Sequence, residues 1–231
     1  MNHDNVKRML LDLIFPNRCP LCGRVVHWSI DYCERCYREL PETGEELCRG
    51  CGNIDCTCRE DEPEYMRCYP AFYYDGSAKS AVIYLKRTKN YIFPKMVAEK
   101  IVSDMSADKY HFKVDCVVPV PMSKSKMRKR GFNQAEVIAE AIAELLEVPV
   151  ESEIISKKRS FKEQHTLSSF SRRRNAENIY FKTDSDAVKD KIVLLCDDVT
   201  TTGSTLNKCA KVLIEMGATS VIAAAAATTI K

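Results

Sequence analysis

Eight cysteines within forty residues decide what the N-terminal quarter of this chain can be. CPLC (Cys19, Cys22) and CERC (Cys33, Cys36) are separated by ten residues, and CRGC (Cys48, Cys51) is followed by CTC (Cys56, Cys58). The stretch around them, residues 17–62, holds few large apolar side chains and cannot bury a useful core alone. A CxxC turn aims two thiolates at one ion, and four thiolates complete a tetrahedral structural zinc site with no open position. In a reducing compartment, clustered close pairs argue for metal thiolates ahead of disulfides. The pattern predicts one or two zinc ions. Either each neighbouring quartet holds its own ion or the pairs interleave, and spacing leaves both arrangements open. Cys116, Cys196 and Cys209 lie in apolar segments and read as core, while Cys68 stands alone before a tyrosine-rich stretch.

The compartment is expected to be the cytoplasm. KRMLLDLIF carries Asp12 inside its apolar run and leads to Pro16 with no small-residue cleavage site. No window approaches the eighteen or so apolar residues of a membrane span. Val6, Met9, Leu10, Leu13 and Ile14 recur at helical spacing, which predicts an amphipathic helix over residues 1–16.

Past the acidic link EDEPEY (60–65), a chain of 231 residues at 45% hydrophobic content has enough left for one α/β core. AFYYDG (71–76) suits a strand and turn, SAKSAVIYLK a short helix, and PKMVAEKIVSDM a helix opened by Pro94. VDCVVPV (114–120) is a compact apolar strand. NQAEVIAEAIAELLEV is the clearest helix: Asn133 caps it, Glu136 follows three residues on, and Ile138, Ile142 and Leu145 line one face. EIIS and NIYF read as strands around a long polar loop. KIVLLC reads as a buried strand, STLNKCAKVLIEMG as a helix ended by Gly217, and SVIAAAAA as a last strand. The alternation predicts an α/β domain with a mainly parallel sheet over residues 68–231, preceded by the small zinc-binding module over 17–62.

Within that domain Val193 to Thr205 read VLLCDDVTTTGST. Ligands of a parallel sheet sit at the carboxyl ends of its strands. With Val193 to Cys196 as the strand and a helix opening near Ser204, the loop Thr200-Thr201-Thr202-Gly203-Ser204 offers backbone N–H groups, hydroxyls and a helix dipole to an anion. No Walker lysine follows the glycine, so a nucleoside-triphosphatase P-loop fits poorly. Asp197 and Asp198 cannot bind that phosphate, but they suit vicinal hydroxyls, which donate hydrogen bonds to carboxylates. A phosphate with two hydroxyls a few ångströms away is a ribose 5-phosphate. Carboxylates at a strand end are expected to face solvent while the site is empty.

The thirteen residues resemble the phosphoribosyl-pyrophosphate motif of type I phosphoribosyltransferases at every position, with Cys196 and Thr200 where aliphatic residues are commoner. Over nearly the whole chain, four features in order resemble the ComF family of competence proteins: the CxxC cluster, VVPVPMSKSKMRKRGFNQA, QHTLSSFSRRRNAENIYF, and the phosphoribosyl loop. The resemblance implies a type I phosphoribosyltransferase fold and an association with DNA uptake during natural transformation. It implies that Asp197 and Asp198 hold the ribose hydroxyls and Thr200, Thr201, Thr202, Gly203 and Ser204 the 5-phosphate, with Mg2+ accompanying the pyrophosphate. It makes Ser123 and Lys124 candidates for a pyrophosphate loop, and the stretch from Ser156 to Arg174 a lid. It does not establish a catalysed reaction.

The run SKMRKRG is denser in charge than a pyrophosphate needs. Lys126, Arg128, Lys129 and Arg130, with Arg172, Arg173 and Arg174, are candidates to track a nucleic-acid backbone, and Phe132 or Phe161 to stack on a base. A solvated charged loop with Phe132 tucked under it is the plainer alternative. His165 has no acid beside it in sequence and reads as a polar loop residue. The expected partners are phosphoribosyl pyrophosphate or a related ribose 5-phosphate, single-stranded DNA, and other DNA-uptake or recombination proteins. The alternative is an active phosphoribosyltransferase acting on a nucleobase or amine.

Overall fold

The computed structural model describes residues 16–54, 56, 58, 62–157, 180–183 and 186–229. The helix expected over 1–16 therefore lies outside the described residues, Pro16 excepted. Phe161, His165, Arg172, Arg173 and Arg174 lie outside them too. In the cysteine module a short helix, α1 (Glu34–Arg38), follows Cys33 and carries Cys36. The rest runs β1 (Cys68–Tyr73), α2 (Gly76–Leu85), α3 (Ile92–Ala107), β2 (Cys116–Pro119), α4 (Lys124–Arg130) and α5 (Gln134–Leu146). It continues with β3 (Ile155–Lys157), β4 (Tyr180–Lys182), β5 (Ile192–Thr200), α6 (Ser204–Glu215) and β6 (Ser220–Thr228).

The main sheet has the order β1-β6-β5-β2, and every neighbouring pair is parallel. β3 and β4 form a separate antiparallel pair. The central strands are buried on both faces, which is why VLLC and AAAAA read as continuous apolar runs instead of alternating. Period-two alternation still sorts the side chains. Leu194 and Cys196 enter a core with Val82 and Leu85 of α2, Ile101 of α3, and Ile138 and Ile142 of α5. Val193 and Leu195 enter the opposite core with Leu206, Cys209 and Leu213 of α6.

The cysteine module is stitched to one edge of this sheet. Thr43 N–H donates to Ala71 O and Tyr73 N–H to Pro41 O, so residues 41–43 pair with β1 and cover its free edge. The opposite edge strand, β2, ends in Pro119, which an edge tolerates because no partner there needs its missing N–H.

Four local features differ from the sequence reading. α3 opens at Ile92, so Pro94 sits in the first turn, where its absent N–H has no intrahelical acceptor anyway. Leu145 is 48% exposed, because it falls in the last turn of α5, where Glu147 takes a left-handed C-cap and the chain leaves the core. The basic run expected as a loop is the helix α4, closed by Gly131 at φ 81°. Finally, β5 does not stop at Cys196. It stays paired with β6 through Asp197, Val199 and Thr200.

Candidate functional site

Because β5 continues, Asp197 and Asp198 are adjacent strand residues, and their side chains leave on opposite faces of the sheet. Asp198 points to the α2 side, where the Lys86 ammonium at the end of that helix lies 3.3 Å from its Oδ2. Asp197 lies on the α6 side, near Cys209 and in the field of Lys157 on β3. Each carboxylate accepts from the next backbone N–H: Asp198 N–H donates to Asp197 Oδ1 at 2.8 Å, and Val199 N–H to Asp198 Oδ1 at 2.9 Å. One oxygen of each is thus used by the strand. A ribose that meets both carboxylates must lie over the strand end and take one hydroxyl contact from each side.

The expectation that both carboxylates face solvent is corrected: Asp197 and Asp198 are both half-buried, and Asp197 is the one whose charge burial disfavours. Burial raises its pKa well above the ordinary carboxylate value, and the neighbouring charge of Asp198 raises it further. A carboxyl with a raised folded-state pKa supports folding fully only below its unfolded pKa, and that support is lost as pH rises through the folded value. At neutral pH the empty site therefore bears a cost, whether as a desolvated charge or as a proton taken up on folding. Asp197→Asn keeps an oxygen for the Asp198 N–H and removes the charge. It should raise the melting temperature of the ligand-free chain at pH 7 to 8, by about 2 to 4 °C for each kcal/mol relieved. The gain should vanish in acid, where both side chains are neutral. A melting temperature unchanged or lowered at pH 7 to 8 would count against this account of Asp197.

After the aspartates the chain turns at once. Thr200 is the last strand residue and only 4% exposed, Thr201 and Thr202 are exposed bends, and Gly203 precedes α6 in the left-handed conformation at φ 70°. Ser204 opens the helix, its N–H lying 3.5 Å from Thr202 Oγ1. The exposed N–H groups of the loop thus gather at the N-terminus of a helix of 12 residues, where the dipole favours an anion. Beside it, Val120 N–H donates to Cys196 O, so β2 leaves the sheet next to Asp197. The half-buried Ser123 and exposed Lys124 follow, at the start of α4.

The cysteines resolve the question that spacing left open. Cys19, Cys22, Cys33 and Cys36 form one cluster and Cys48, Cys51, Cys56 and Cys58 another, each with its sulfur atoms within 4.8 Å of one another. A tetrahedral zinc with Zn–S bonds of about 2.3 Å places its sulfurs about 3.8 Å apart. Cys22 and Cys33 are 3.8 Å apart, and Cys48 is 3.9 Å from Cys58 and 3.3 Å from Cys56. The donor sets fit two structural zinc ions, and the pairs do not interleave. Cys68 is fully buried at the start of β1 against Gly52 of the second knuckle, so it is not an isolated thiol.

The cations of the basic run divide on α4. At 100° per residue Lys126, Lys129 and Arg130 share a face, while Lys124 and Arg128 share another. Arg130 is engaged: its guanidinium donates to Gln134 Oε1 at 2.7 Å. Phe132 is half-buried and packs against the α2–α3–α5 core, which leaves less ring for a base than a free loop would.

With this geometry in hand, the comparisons with known proteins are specific. Residues 95–230, more than half of the chain, match the phosphoribosyl transferase domain family. The chain belongs to that family. Residues 10–69 match the double zinc ribbon domain, which agrees with the two quartets and supports structural zinc in both. Across both parts the chain is ComF-like. It is 28% identical over 217 residues to the DNA utilization protein YhgH of Salmonella typhimurium, covering 93% of this chain and 91% of that one. It is 26% identical over 203 residues to competence protein F of Haemophilus influenzae, covering 86% and 85%. To the competence protein ComFC of Streptococcus pneumoniae it is 27% identical over 228 residues, covering 87% and 95%. No helix among the described residues is long and apolar enough to cross a membrane.

The structure also brings to the site residues that the motif reading missed. Lys86 reaches Asp198 from the end of α2, and the charge of Lys157 on β3 is felt at Asp197 while its ammonium donates to Tyr180 Oη. Tyr65, from the acidic link, lies against Gly203. A lysine placed directly after the apolar run AVIYL was a weak signal for the first. For the other two no local signal exists.

Proposed function

We propose that this chain binds phosphoribosyl pyrophosphate, or a related ribose 5-phosphate, at the carboxyl end of β5. We propose further that it acts in DNA uptake or DNA utilisation through handling single-stranded DNA. One observation carries the first half: Asp197 and Asp198 run directly into a glycine-turned loop at the N-terminus of α6. Carboxylates accept from vicinal hydroxyls, while the loop amides and helix dipole favour a phosphate. Mg2+ would arrive with the pyrophosphate, as its counter-ion. The names of the relatives and the exposed Lys126, Arg128 and Lys129 on α4 support the second half. A reducing compartment such as the cytoplasm suits the thiolate zinc sites.

The DNA half is tested with a labelled single-stranded oligonucleotide titrated across salt concentration. If about four phosphates are neutralised, log affinity should fall against log salt with a slope near −3. Replacing Arg128 and Lys129 together by Ala should flatten that slope by about one to one and a half units and leave sequence preference alone. Competition by phosphoribosyl pyrophosphate would mean that the same cations serve both ligands. Salt-insensitive binding, or none at physiological ionic strength, would remove single-stranded DNA from the proposal.

A further inference from the structure

We propose that the second cysteine quartet positions the phosphate loop through Tyr65, so that zinc at Cys48, Cys51, Cys56 and Cys58 and a phosphoribosyl ligand at residues 201–204 stabilise each other. The inference rests on the reading of that loop given above, and it adds a dependence on metal that neither the motif nor the fold requires.

The contacts run in one direct line. Gly203 is left-handed, and a Cβ placed on it would lie 2.7 Å from Tyr65 Oη and 4.0 Å from Cys51 O. A side chain there would collide with the buried Tyr65 hydroxyl, while the second knuckle's Cys51 O lies at ordinary contact distance beyond it. Tyr65 is 4% exposed, and its hydroxyl donates to Cys51 O at 3.4 Å. The neighbouring Glu64 N–H donates to Asn207 Oδ1 at 2.6 Å, and Asn207 N–H in turn donates to Gly203 O at 2.8 Å. At the start of the loop, Thr200 pairs in register with Thr228, whose hydroxyl donates to Gly52 O at 3.2 Å. Both ends of the loop therefore rest on residues 51–52, within the turn that the second metal would organise.

The first quartet provides an internal control. Cys19, Leu21, Cys33 and Cys36 pack with the α2–α3–α5 core, on the opposite side of the sheet from Tyr65 and α6. Metal there has no comparable route to Gly203. Coupling between two binding events is reciprocal, so a loop that needs the second knuckle in place must also hold that knuckle's metal more firmly when liganded. Tyr65 and Asn207 are positioning residues in this scheme and need not touch the ligand.

The test uses the full zinc-loaded chain and follows transfer of zinc to a chromophoric chelator, with and without saturating phosphoribosyl pyrophosphate and Mg2+. The expected result is that one of two ions leaves about fivefold more slowly with ligand present and the other does not change. Cys22→Ser should keep the protected phase and Cys56→Ser should remove it. Tyr65→Phe retains the buried ring and removes only the hydroxyl, and it should weaken both the protection and the ligand affinity. Asn207→Ala repeats the test through a second contact should Tyr65→Phe fold poorly. Ligand that binds with neither ion slowed would overturn the coupling and leave the loop's role intact. Should the unmodified chain bind no ligand, the reading of the loop fails instead, and the mechanical contact is judged by Gly203→Ala. Faster loss of one zinc ion from that variant would sustain the contact, and unchanged loss would overturn it.

Discussion

Removing zinc from the intact chain should unfold residues 17–58 and leave the parallel sheet standing. The module has little core of its own, and folding of such units is coupled to metal, with apparent binding free energies of about 10 to 16 kcal/mol for structural zinc at neutral pH. The sheet's two cores draw mainly on α2, α3, α5, α6 and the four parallel strands. Hydrogen exchange should therefore show amides around both quartets losing protection after chelation, while those of β5, β6 and α5 stay protected. The edge of β1 should be intermediate, since residues 41–43 cover it. Elemental analysis should find two zinc ions per chain, one for each quartet. A preparation without zinc that keeps full protection over residues 17–58 would show that the sulfurs are not structural ligands.

Converting Asp197 and Asp198 together to Ala should lower affinity for phosphoribosyl pyrophosphate at least about tenfold. A hydrogen bond to a charged group is worth about 1.5 to 3 kcal/mol, and the double change removes an acceptor on each face of the strand. The fold should survive, because losing the desolvated charge of Asp197 works in favour of the empty state. Asp198→Ala alone should behave differently from Asp197→Ala, since it also releases the Lys86 ammonium held 3.3 Å away. A freed cation near an incoming pyrophosphate offsets part of the lost contact. Titration calorimetry of the two single variants and the double variant checks this, and an unaltered affinity in the double variant would mean that the ligand sits elsewhere.

Much of this site was legible because its chemistry is local. Carboxylates, hydroxyls and one glycine follow each other within a few residues, and the strand before them and the helix after them carry plain periodic signals. The length of β5 was not legible. Asp-Asp is a poor strand pair by propensity, and only the ladder to Ala225, Ala227 and Thr228 keeps the chain extended there. With that extension missed, the opposite facing of the two aspartates was missed too. α4 escaped for the contrary reason: LysSerLysMetArgLysArg has a single apolar residue and so no helical stripe to read, although Gly131 marked its end. The split of the cysteines into neighbouring quartets needed three dimensions, since spacing permits either pairing. The contact of Tyr65 with Gly203 joins residues far apart in the chain, and no pattern within either segment foretells it.

The central claim is that the carboxyl end of β5 binds a phosphoribosyl ligand. The most direct measurement is calorimetric titration of the zinc-loaded chain with phosphoribosyl pyrophosphate in the presence of Mg2+. Saturable binding of one ligand per chain is expected, weakened by ribose 5-phosphate as a competitor and at least about tenfold weaker in the Asp197→Ala, Asp198→Ala variant. No heat at millimolar ligand, together with no displacement by ribose 5-phosphate, would contradict it.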